Sequence, residues 1–189
     1  KLFSEKLGVD FKLVPTDSWA QTIEFAKNRT CDLIALAAQT ESRKEWFNFT
    51  TAYLKVPLVI VTKLDEPFIN YPSTLKNKKL GITKGYAFGE LLRNNYPYLD
   101  IVDVENIDDG LEKVDRGELY GYIGTIATVE YIFQDKYFDE LKISGKFDEN
   151  LEHGVAVRND DLYLLSVLNK AIHNLNTEQK QSILNDFIS

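Results

Sequence analysis

Apolar positions along this chain follow two rhythms in turn, a two-residue alternation or short apolar block and then a 3.6-residue repeat, which predicts strands and helices taking turns. Lys1–Leu7 reads as the end of an amphipathic helix, with Leu2, Phe3 and Leu7 apolar and Gly8 as its stop. Val9–Val14 alternates as a strand. Ser18 followed by Gln21 gives a capping box for a helix whose Trp19, Ile23 and Ala26 share one face. Asp32–Ala37 is then a strand apolar enough to be buried on both faces. Strand, helix, strand with short connections is the pattern of a parallel sheet covered by helices.

Leu54–Thr62 is a β-rich run, and Lys63-Leu64-Asp65-Glu66-Pro67 then changes to linker composition. A second α/β series follows. Lys79–Thr83 reads as a strand, Phe88–Asn94 as a helix and Asp100–Val104 as a strand. Asp108 is expected to cap a helix running to Arg116 with Gly117 as its stop, before a strand at Tyr120–Ile123 and a helix through Thr128–Phe133. Gly154–Arg158 reads as one more strand, Asp160 opens a long helix, and Thr177 caps the last one, which ends near Phe187. The expected organisation is two lobes, residues 1–64 with 151–189 and residues 65–150. Two crossings between them, near Val61–Asp65 and Asn150–Gly154, would make a hinge.

Composition narrows the function without choosing it. The 189 residues are 44% hydrophobic, enough for a proper core. With 29 acidic against 22 basic side chains the net charge is −7, which opposes binding to nucleic acid, and Lys76, Lys78 and Lys79 form the densest basic run. The longest apolar stretch, Val56–Val61, is too short to cross a bilayer. One cysteine excludes an internal disulfide, and two histidines offer no Cys/His metal cluster; no cofactor is expected. His153 and His173 read as structural or solvated, and Asp108-Asp109 and Asp160-Asp161 as helix-start acids, so no catalytic pair stands out. The absence of methionine suggests an excised piece of a longer protein.

The most informative segment runs from Cys31 to Arg43, an apolar strand that leads into a polar turn carrying one arginine. A rigid strand end, a Thr40 hydroxyl able to cap a helical turn and the planar fork of Arg43 together suit a carboxylate. With Phe47-Asn48-Phe49-Thr50-Thr51-Ala52-Tyr53 it resembles the T-x-x-R … F-[ST]-x-x-Y stretch of type 2 periplasmic solute-binding proteins. Nearly the whole chain is similar to this Venus-flytrap family, in its amino-acid-binding branch, and more specifically to extracytoplasmic sensor domains of bacterial histidine kinases. Trp19–Asp32, Pro57-Leu58-Val59-Ile60-Val61-Thr62, Lys84-Gly85-Tyr86-Ala87, Gly117–Gly124 and His153-Gly154-Val155-Ala156-Val157-Arg158 carry the rest of the likeness.

The resemblance implies an α/β fold of two lobes, each a mostly parallel sheet with flanking helices, closing on a small carboxylate or amino acid. It implies ligand contacts at Trp19, Ala38, Gln39, Thr40, Arg43 and Tyr53 from the first lobe and at Gly85, Tyr86, Ala87, Tyr122 and Thr125 from the second. Arg43 would pair with the carboxylate and Trp19 would cover an apolar or planar part of the ligand. Two departures stand out. Thr125 occupies the place of the acid that holds a ligand ammonium in amino-acid binders, which favours a carboxylate without an amine, unless Glu130 or another acid replaces it. The family's first strand also has no counterpart before Lys1, so upstream residues are expected to supply it. The implied protein is a periplasmic sensor domain, attached to the membrane only through segments outside this chain, with room for a dimeric full-length sensor. A free binding protein of an ABC-type transporter is the alternative, and an enzyme carrying the same fold, a dehydratase or a peptidoglycan-cleaving protein, a more distant one.

Overall fold

A computed structural model of the chain describes residues 2–133, 136–137 and 139–188. They form helices α1 (Leu2–Leu7), α2 (Trp19–Lys27), α3 (Ala87–Asn95), α4 (Ile107–Asp115), α5 (Ile126–Phe133), α6 (Leu162–His173) and α7 (Thr177–Ile188). The strands are β1 (Leu33–Ala38), β2 (Phe47–Phe49), β3 (Leu54–Lys63), β4 (Lys79–Thr83), β5 (Asp100–Val104), β6 (Gly121–Thr125) and β7 (Leu141–Arg158). The chain folds as two compact units, one of Lys1–Leu54 with Glu152–Leu184 and one of Lys55–Leu151 with Asn185 onward. β3 therefore belongs to the second unit rather than to the first lobe, and its antiparallel ladder with β6, Leu58 opposite Thr125 through Val61 opposite Tyr122, is the reason.

In the first unit the end of β7 is flanked by two antiparallel neighbours. β1 pairs with it from Leu33 opposite Val157 to Ala38 opposite His153, and β2 from Phe47 opposite Arg158 to Phe49 opposite Ala156. A bulge between Ile34 and Ala37 sets two β1 residues against one of β7 and resets the alternation. As a result Leu33 and Leu36 join Val155, Val157, α1 and α6 on one face, while Ile34 and Ala37 join Ala156, Phe47 and the Trp19, Ile23 and Ala26 stripe of α2 on the other. β1 therefore packs on both faces, but less completely than expected, with Ile34, Ala37 and Ala38 buried, Leu33 and Leu36 partly buried and Ala35 exposed.

The second unit is built around β4, parallel to both β5 and β6 in the order β3, β6, β4, β5. Val59 and Val61 of β3, Val104, Leu111, Val114, Tyr122, Val129 and Leu141 make its core. α4 starts two residues earlier than a cap at Asp108 predicts, because the Asn106 side chain is the cap and accepts the Asp109 amide at 2.9 Å.

Two expectations about strands are corrected. Val9–Val14 is not a strand: it makes no ladder among the described residues, and Val9, Phe11 and Leu13 are exposed. Alternation alone does not hold a strand without a neighbour to pair with. Conversely β7 runs for 18 residues, of which only Gly154–Arg158 was expected. Its first part, Leu141, Ile143, Gly145 and Phe147 alternating with polar residues, carries the two-residue period of a half-buried strand, interrupted where Gly145 takes an apolar place and Ser144 is buried.

Candidate functional site

Arg43 lies in a short 3-10 turn, Ser42–Glu45, directly after β1. The turn is closed locally: the Thr40 hydroxyl accepts the Arg43 amide at 3.3 Å and shares a hydrogen bond with the Ser42 hydroxyl at 2.9 Å. Two contacts orient the guanidinium. Its Nη1 donates to the Ala38 carbonyl at 2.8 Å, and its carbon sits 4.8 Å from the centre of the Trp19 ring. Trp19 is placed for this by the first turn of α2, which Ser18 caps by accepting the Gln21 amide at 3.2 Å. Ala38, Gln39, Thr40, Arg43 and Trp19 thus form one constellation in the first unit, with Arg43 half-buried and Gln39 exposed. Trp19 presents its face to the guanidinium, a cation–π stack that orients the fork.

Tyr53 is turned inward. Its hydroxyl donates to the Ala35 carbonyl and its ring meets Phe3 edge-on at 5.7 Å. Burial pushes its pKa up to about 12. Tyr53 is a core residue of its unit.

In the second unit Gly85, at φ 79°, takes the left-handed position of a turn closed by the Tyr86 amide donating to the Thr83 carbonyl at 3.2 Å. Tyr86 stands at the N-cap of α3 without a side-chain cap of its own, and Ala87 opens the helix. The first amides of α3 therefore lie where an anion is favoured. Tyr86 is partly buried, which raises the pKa of its phenol. Tyr122 is 1% exposed, deep in the unit's core, and shares a hydrogen bond of 2.8 Å with the buried Thr83 hydroxyl. Thr125 ends β6 and caps α5: its hydroxyl accepts the Thr128 amide at 3.3 Å and is within 2.9 Å of the Thr128 hydroxyl. Among the described residues no three His, Cys, Asp or Glu side chains gather as a metal site.

One residue that supports the site was not anticipated. Arg158, at the end of β7, is 8% exposed and donates from Nη1 to the carbonyls of Ala26 at 3.1 Å and Cys31 at 2.9 Å. It pins the end of α2 to the start of β1, the two elements that carry Trp19 and Ala38. The signal was a charged residue closing the apolar run Val155-Ala156-Val157, which the pattern explained equally well as a strand end.

Residues 1–188 match the model of the bacterial extracellular solute-binding proteins, family 3. The chain belongs to that family. It is 22% identical to the virulence sensor protein BvgS of Bordetella pertussis over 185 residues, 97% of this chain but only 15% of BvgS. It is 29% identical to the L-cystine-binding protein TcyJ of Escherichia coli over 174 residues, 89% of this chain and 64% of that protein. The crystal structure of the B. pertussis BvgS periplasmic VFT2 domain superposes with a TM-score of 0.89 at 21% identity, over 98% of this chain and 80% of that domain. The two-lobed α/β fold of the Venus-flytrap binding domains is thereby shown. Nearly the whole chain corresponds to a small part of a much longer sensor protein. Among the described residues no helix is long and apolar enough to cross a membrane.

Proposed function

We propose that this chain is the extracytoplasmic ligand-sensing domain of a larger signalling protein, a histidine kinase in the likeness of BvgS, and that it binds a small carboxylate through Arg43. The observation that carries the reading is the preset guanidinium: the Ala38 carbonyl and the Trp19 ring hold it. A prearranged fork loses little side-chain freedom when a carboxylate arrives, so more of the charge-assisted hydrogen bonding appears as affinity. Thr125, a neutral residue whose hydroxyl is engaged in capping α5, gives no partner for an ammonium and favours an acid without an amine. Ligand binding is read out as a change in the preference between conformations, and only a ligand that distinguishes them transmits a signal.

The higher identity to TcyJ supports a second reading, a free solute-binding protein that delivers cargo to a transporter. The first test is a thermal-shift screen of short mono- and dicarboxylates and free amino acids on the wild type and Arg43→Ala. Carboxylates are expected to raise the melting temperature of the wild type, since a ligand specific for the folded form stabilises it, and Arg43→Ala is expected to abolish the shift. Full shifts in the variant reject the clamp. Hits confined to amino acids reject the amine-free assignment.

A further inference from the structure

Arg158, Asn159 and Asp160 follow one another at the end of β7, and between them they reach both supports of the Arg43–Trp19 stack. The first support is α2. The last carbonyls of a helix have no partner within it. In α2 the Glu24 carbonyl accepts the Asn28 amide at 3.0 Å, and that of Phe25 accepts the amides of Thr30 at 2.9 Å and Cys31 at 3.1 Å. The Ala26 carbonyl is left to the buried Arg158 guanidinium. Nε of that guanidinium makes no hydrogen bond among the described residues, and its charge is met by one carboxylate oxygen of Asp160 at 3.6 Å. The other oxygen of Asp160 accepts from Arg29, which stands at φ 68° in the turn between α2 and β1.

The second support is the 3-10 turn that carries Arg43. Thr40 closes its start, and Asn159 closes its end. The Asn159 side-chain amide donates to the carbonyls of Glu45 at 2.8 Å and Lys44 at 3.4 Å, while its backbone amide donates to the Trp46 carbonyl at 3.1 Å. The helix that bears the indole and the turn that bears the guanidinium are therefore tied off on neighbouring residues. Both ties lie at the end of β1 away from Ala38, since Leu33 stands opposite Val157 and Ala38 opposite His153. Trp19 is about 10 Å of helix from Ala26, so a tilt of about 10° at that end moves the ring by about 2 Å. The guanidinium carbon lies 4.8 Å from the ring centre, and the attraction is lost beyond about 6 Å.

We infer that Asn159, together with Arg158, is a positioning residue of the Arg43 site: the pair sets the Trp19–Arg43 stack, and through it the affinity for a carboxylate, from the opposite end of β1. The consequence for affinity rests on the carboxylate reading above, whereas the effect on the stack does not.

Asn159 is exposed, so its truncation opens no cavity, and Trp46→Phe leaves Trp19 as the one indole while keeping the backbone carbonyl that Asn159 uses. In that parent background Arg43→Ala gives the fluorescence of an unstacked Trp19. Asn159→Ala is expected to shift the Trp19 emission toward that reference and to weaken carboxylate binding about two- to fivefold, on the scale of one partly exposed cation–π contact. Asn159→Asp keeps the shape but offers no N–H donor, and is expected to act alike. Ile172→Val, which removes one methyl from the buried face of α6 in the same unit, controls for plain loss of stability and is expected to move neither reading. Asn159 variants that keep the emission or the carboxylate affinity of their parent overturn the inference, and so does an equal emission shift in Ile172→Val. The emission needs no ligand, so a parent that binds no carboxylate fails the clamp proposal alone and leaves the Trp19 signal to decide the role of Asn159.

Discussion

A guanidinium that donates to a carbonyl and lies over an indole has few rotamers left, and the function of Arg43 depends on that restriction rather than on its charge alone. Arg43→Lys separates the two. The ammonium keeps the positive charge but has neither the planar fork nor the broad face that stacks on Trp19. Carboxylate affinity measured by titration calorimetry is expected to fall about tenfold or more in Arg43→Lys, on the scale of one charge-assisted hydrogen bond, while the unfolding midpoint stays near that of the wild type. An affinity equal to the wild type's would show that charge suffices. Tyr122→Phe should behave oppositely. It leaves the buried Thr83 hydroxyl without its 2.8 Å partner, at an expected cost of about 1–2 kcal/mol in chemical denaturation, with carboxylate binding unchanged. The contrast explains what the sequence could say of the site. The turn that carries Thr40 and Arg43 was legible because a polar turn after an apolar strand is a local pattern. Tyr53 and Tyr122 were not, because an aromatic residue on a strand looks the same whether it faces a ligand or a core.

The elements place these residues, and their sequence signals differ in kind. β1, β3, β4, β6 and α2 were readable because both faces are apolar or a cap and an apolar stripe agree. Val9–Val14 has the pattern of a strand without the pairing, since a ladder is a property of two segments and sequence period describes one. The first part of β7 has both the pairing and the alternation, but the alternation is short and is interrupted at Ser144-Gly145, where the polar residue is the buried one. Packing between elements is also invisible locally, and Gly110 in α4 shows it. By helix propensity, Gly110→Ala should gain about 1 kcal/mol. A Cβ there would lie 2.4 Å from Cδ2 and 2.7 Å from Cε2 of the Tyr122 ring, which its bond to Thr83 holds in place. Overpacking of this sort costs about 1–3 kcal/mol and wins, so Gly110→Ala is expected to be destabilised by about 1 kcal/mol net in urea denaturation. A stabilised variant would mean that the ring moves aside.

For the whole molecule the buried tyrosines make stability depend on alkali rather than acid. Tyr53 in the first unit has its pKa raised by burial to about 12, and Tyr122 in the second is pushed up further by the same cause, with the Thr83 hydrogen bond opposing. In the unfolded chain both return to about 10. The sign follows from proton counts. Below pH 10 both states hold the phenolic protons and stability is at its full value. Above pH 10 the unfolded chain releases them while the folded protein keeps them, so unfolding becomes more favourable as pH rises. Each buried tyrosine then removes about 1.4 kcal/mol per pH unit until its folded pKa is reached. Tyr96, also in the second unit, is raised to about 12 by burial and by its hydrogen bond to Glu149, so with three such groups the unfolding free energy is expected to fall by about 3–4 kcal/mol between pH 10 and 11, measured by urea denaturation at fixed ionic strength. Tyr53→Phe should take away about a third of that slope while lowering stability at neutral pH through the lost bond to Ala35. A flat profile through pH 11 would mean that the phenols ionise in place, and that neither unit's interior is as closed to water as its packing requires.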